Sequence, residues 1–77
     1  MTNFPTFLKD IDELGWGVAS FNTYSQNGHT HCFILVAEKG GSGRFIKSEG
    51  RIEFVDSMLL NLYLVIMKLY GESEVTI

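Results

Sequence analysis

Residues 54–70 read Phe54-Val55-Asp56-Ser57-Met58-Leu59-Leu60-Asn61-Leu62-Tyr63-Leu64-Val65-Ile66-Met67-Lys68-Leu69-Tyr70. Only Asp56, Ser57, Asn61 and Lys68 are polar in this run. Its length, without proline or glycine, predicts a helix over about residues 54–70. Glu53 and Asp56 stand at its positive end and Lys68 in its last turn, as the helix dipole favours. Gly71 is read as its stop, and Glu72–Ile77 as a short tail. At about 100° per residue the apolar side chains point in nearly every direction, and a helix apolar all round expects cover all round.

The rest of the chain offers too little cover. Phe4, Phe7, Leu8, Ile11 and Leu14 make one apolar stripe, with Lys9, Asp10, Asp12 and Glu13 opposite, which predicts a helix over about 4–14. Asn3 or Thr6 can cap it, Pro5 suits its first turn and Gly15 its end. Strands are predicted at about 17–24, 29–38 and 44–49. The first two are joined through Asn27-Gly28, a strong short hairpin signal. Cys32-Phe33-Ile34-Leu35-Val36-Ala37 is apolar on both faces and reads as the central strand. The charges of Arg44–Glu49 suit an edge. Lys39–Gly43 is a loop, Gly50 breaks the third strand, and Arg51–Phe54 is the lead-in to the last helix in preference to a fourth strand. The expectation is a small α+β domain spanning residues 1–77, helix-strand-strand-strand-helix, with two helices packed on one three-stranded antiparallel sheet.

Such a sheet and one short helix cover about two-thirds of the last helix. Leu60, Leu64 and Met67 are expected on the remaining face, and each large apolar side chain left in water forgoes about 1.5–3 kcal/mol. Large exposed apolar patches on monomers mark interaction sites. The reading is a protein-docking face or homodimer seam formed by Leu60, Tyr63, Leu64, Met67 and Tyr70. The two tyrosines share a face and bring hydroxyls suited to a wet rim. Trp16 is read as a core anchor or an interface hot spot, and Arg44 is counted among the partner-binding residues.

Other chemistry is thinly supported. His29 and His31 point the same way on a strand and could give a metal two ligands, but Cys32 points opposite and the sequence has no further histidine. Cys32 in an apolar strand reads as a small core residue. Lys39-Gly40-Gly41-Ser42-Gly43-Arg44 could approach an anion, yet lacks the lysine-serine ending of a phosphate loop. Lys39, Arg44, Lys47 and Arg51 are four of the six basic residues and could form a nucleic-acid patch. The formal net charge of -3 disfavours that use. The element order is shared with double-stranded-RNA-binding domains, whose last helix opens with cations; Glu53 and Asp56 stand there instead, so that resemblance is set aside. The acids of the first helix and tail read as solvated.

The chain has 77 residues, 45% of them hydrophobic and 19% charged, which argues for one folded domain rather than disorder. One cysteine excludes an internal disulfide. Met1–Pro5 shows no basic or apolar leader pattern, and residues 54–70 are too short and too interrupted for a membrane span. The expectation is a cytoplasmic, non-enzymatic protein-binding module without cofactor or metal, which occludes or bridges a partner protein. Nucleic acid and membranes are not expected partners. By size and acidic character alone, it is the kind of chain that phages and mobile elements use as inhibitors of host defence complexes such as CRISPR effectors.

Overall fold

The computed structural model describes residues 3–74. Helix α1 spans Phe4–Glu13, strands β1, β2 and β3 span Trp16–Gln26, His29–Glu38 and Phe45–Arg51, and helix α2 spans Val55–Glu74. The strands form one antiparallel sheet in the order β1-β2-β3, so His29–Glu38 is central, as its two apolar faces require.

Each element starts and stops for a local reason. The Asn3 side chain accepts a hydrogen bond from the Thr6 N–H at 2.9 Å and caps α1, with Pro5 in the first turn. Gly15, at φ 83°, turns the chain out of the helix and into β1. Asn27 and Gly28 take φ values of 52° and 77°, the two positive values that a tight two-residue hairpin turn needs, and Gln26 then pairs with His29. The register shifts between Val18 and Ser20, where Ala19 is an extra residue and a bulge bends β1.

Both helices pack on the same face of the sheet. Cys32, Ile34 and Val36 of β2 point to that face and are fully buried. Phe7 and Ile11 of α1 join them, together with Trp16 and with Met58, Leu59, Leu62 and Ile66 of α2. The result is a two-layer molecule about 17 Å thick and 50 Å long. The opposite face of the sheet has no helix over it. It carries Tyr24, His31, Phe33, Leu35, Phe45, Lys47 and Glu49 by strand alternation.

Two glycines act otherwise than the sequence reading expects. Gly50 does not end β3; it pairs with Cys32 and lies under Met58, whose sulfur would meet an added Cβ at 3.5 Å. That distance is an ordinary van der Waals contact. Arg51 closes the strand, and Ile52–Phe54 form a single 3₁₀ turn leading into α2, as the lead-in reading expected. Gly71 does not stop α2, which runs on to Glu74. The expected tail at 72–77 is therefore helical through Glu74, and its remaining residues, 75–77, lie outside the described residues.

Candidate docking face on the last helix

Helix α2 is divided lengthwise by its packing. Val55, Met58, Leu59, Leu62, Ile66 and Leu69 face α1 and the sheet. On the far side Leu60, Leu64 and Met67 remain 45%, 53% and 45% exposed. With Ser57 and Gly71 they fall within about 80° of arc at 100° per residue, so they form one stripe. Asp56 and Tyr63 flank it on one side, Asn61 and Lys68 on the other. Tyr70 is exposed beside the half-buried Tyr63. A half-exposed leucine leaves roughly half of its 1.5–3 kcal/mol burial gain unrealised. The stripe repeats that loss three times along about two helical turns.

Trp16 does not belong to this surface. It is 1% exposed and sits in the core cluster, which corrects its place among the partner-binding residues. Its bulk fills the corner where α1 gives way to β1. Arg44 is also engaged within the chain. Its guanidinium donates to both carboxylate oxygens of Glu38, at 2.9 and 2.6 Å, and lies 5.9 Å from the Trp16 ring centroid. This bidentate pairing, with a further hydrogen bond from Ser42, holds the Glu38 carboxyl down at about 2. The same Glu38 contact, aided by the fields of Glu38 and Glu72, raises the Arg44 pKa.

A pH dependence follows from Glu38. Its folded value lies below its ordinary 4.5, so the pairing contributes its full stability above about 4.5 and loses it as the pH falls towards 2. Arg44→Met should flatten this part of the profile. Thermal midpoints at several pH values from 6 to 2 check it, on the difference between the native chain and the variant.

The basic patch read from the sequence is dispersed. Lys39 pairs with Asp12, Arg44 with Glu38 and Arg51 with Glu53. Lys47 and Arg51 lie on the uncovered face of the sheet, whereas Arg44 lies on the helix side above Trp16. Three of the four charges are thus matched by carboxylates, and the four do not share one face.

The histidine pair is not gathered with other ligands. His31 stacks on Tyr24, with centroids 5.3 Å apart and planes 13° from parallel. The Tyr24 hydroxyl donates to Glu49 at 2.6 Å, and that hydrogen bond to a carboxylate raises the Tyr24 pKa. Cys32 lies on the opposite face, where burial raises its thiol pKa and its S–H contacts the Met58 sulfur at 3.7 Å. Among the described residues, no group of three or more His, Cys, Asp and Glu residues is placed to hold a metal ion. No helix among them is long and apolar enough to cross a membrane.

One surface went unassigned in the sequence reading. Phe33 and Leu35 are half-buried on the uncovered sheet face, and Phe45 beside them is exposed. The signal was present in the two apolar faces of β2, but which face the helices occupy is set by tertiary packing. Searches of family models, curated proteins and solved structures find no match to the chain.

Proposed function

We propose that the chain is a non-enzymatic protein-binding module, and that it acts by docking the outer stripe of α2 on another polypeptide to occlude or bridge it. The supporting observation is the row of Leu60, Leu64 and Met67, each about half exposed on a helix whose other side carries the buried Met58, Leu59, Leu62 and Ile66, with Val65 exposed apart from the row. Isolated surface leucines are ordinary, but a continuous apolar row on one helix face is the pattern of helix-mediated recognition. The flanks suit a rim, with Tyr63 and Tyr70 on one side and Asn61 and Lys68 on the other. Host defence complexes such as CRISPR effectors are the partner class that the size and acidic character of the chain bring forward for screening.

A photo-crosslinking amino acid placed at Leu64, and in a control chain at Lys9 on the exposed side of α1, tests the reading in an extract of cells that make the protein. The expected result is a discrete adduct at position 64 that is absent at position 9. Equal or no adduct formation at the two positions contradicts it.

A further inference from the structure

We infer that β1 accepts an extended segment of another protein as a fourth strand, held by the outward backbone groups of Phe21, Thr23 and Ser25 and by an apolar contact at Phe21. This surface is separate from the α2 stripe and does not rest on the docking role proposed above.

The hairpin fixes which backbone groups face outward. Gln26 and His29 flank the two-residue turn, so they form a pair that exchanges both hydrogen bonds between β1 and β2. The pattern then alternates along the strand. Tyr24, Asn22 and Ser20 bond to β2, whereas Ser25, Thr23 and Phe21 direct their N–H and C=O groups away from it, at the edge of the sheet. Those six groups are in phase to bond an added strand.

The two edges of the sheet differ. β3 carries Lys47, Glu49 and Arg51 among its seven residues, the kind of charge that discourages pairing at an edge. β1 has neither a charge nor a proline in its eleven. Its bulge at Ala19 lies near the start, and residues 20–26 keep a regular register with β2. Tyr24 leans inward, stacking on His31 and donating to Glu49 of β3, so its ring does not screen the edge.

Side chains state the chemistry of the occupant. Phe21 lies on the helix face of the sheet, opposite Ile34, and remains 38% exposed. Its ring meets Phe4 of α1 edge-on, with centroids 5.1 Å apart, and Leu8, one turn along α1, is also 38% exposed. In an antiparallel segment the hydrogen-bonded residues stand opposite Ser25, Thr23 and Phe21 and point to this same face. The one opposite Phe21 is therefore apolar, and those opposite Ser25 and Thr23 are uncharged. A second copy of β1 fits less well. Paired about a two-fold axis at Thr23, it would set Ser25 opposite Phe21 and leave the ring uncovered.

The probe is a capped pentapeptide of threonine, glutamine, valine, serine and leucine in that order, which places leucine opposite Phe21. Pairing over so short a segment supports a dissociation constant of roughly millimolar size, so it is titrated to about 5 mM against isotope-labelled chain. The amide signals of Phe21, Thr23 and Ser25 should shift together. N-methylation of the peptide's valine and leucine, whose N–H groups face β1, should abolish the shifts. N-methylation of its glutamine and serine, whose N–H groups face water, should leave them. Equal binding of the two methylated forms, or no shift with the unmethylated peptide, overturns strand addition. Phe21→Ser should weaken binding by roughly tenfold or more while its other amide signals remain those of the folded chain. Unchanged affinity in that variant overturns the apolar contact. Shifts of the same three amides with protein concentration alone would make a second copy the occupant and overturn the foreign segment.

Discussion

Ile66→Asp is expected to leave the chain unfolded at 25 °C and neutral pH, while Leu64→Asp, two residues earlier on the same helix, stays folded. Ile66 is 0% exposed among Leu59, Leu62 and the core strand, and Leu64 is 53% exposed. An unpaired carboxylate at position 66 carries a penalty of several kcal/mol. Evading it by protonation still leaves a polar group without a partner. A domain of 77 residues is stable by about 4–12 kcal/mol at roughly 0.05–0.15 kcal/mol per residue, so that penalty consumes much or all of it. At position 64 the carboxylate remains in water. The cost there is the weaker helix propensity of Asp together with the half of the leucine burial that is realised, about 1–2 kcal/mol in all, which leaves the chain folded. Far-ultraviolet circular dichroism and thermal melts of the two variants check the contrast. Unfolding of both would assign Leu64 to the internal core.

Trp16→Ala should cost about 3–5 kcal/mol, the range for truncating a buried tryptophan. Three features meet at this side chain. It fills the corner between α1 and β1, it pairs across the sheet with Glu38, and it lies beneath the Arg44 guanidinium that grips Glu38. Its loss opens a cavity and also removes the ring under that ion pair. Urea unfolding followed by circular dichroism measures the change. A drop of less than about 1 kcal/mol would mean that the site collapses without cost and that the core does not depend on this residue.

These two residues show what the sequence could and could not disclose. Ile66 and Leu64 are both apolar and both helical, and composition alone does not separate them. Periodicity within a helix apolar all round has no polar face to mark the outside. The split became legible only through the limited area of a thin sheet and one short helix, which pointed to Leu60, Leu64 and Met67 as the uncovered residues. The local signals were stronger. Asn3, Gly15 and Asn27-Gly28 act through their own backbones and neighbours, so their roles as cap, stop and turn could be read directly.

Non-local facts were the ones misread. Gly50 looks like a strand breaker, yet it continues β3 in register opposite Cys32. Gly71 looks like a helix stop because glycine usually is one, yet it keeps a helical conformation in the last turns of α2. The four cations near the glycine loop looked like a patch in one dimension, whereas Asp12, Glu38 and Glu53 reach three of them in space. The sidedness of the helices, which leaves Phe33 and Leu35 on an uncovered sheet face, has no sequence signature of its own.

The central claim is that the outer stripe of α2 is a contact surface and is not needed for the fold. The most direct measurement takes the folded Leu64→Asp variant and the native chain at matched concentrations and compares their cross-linked or sedimenting complexes. Loss of the complex while the variant still melts cooperatively as a folded chain is the predicted result. A Leu64→Asp chain that forms the same complex as strongly as the native chain would contradict the account.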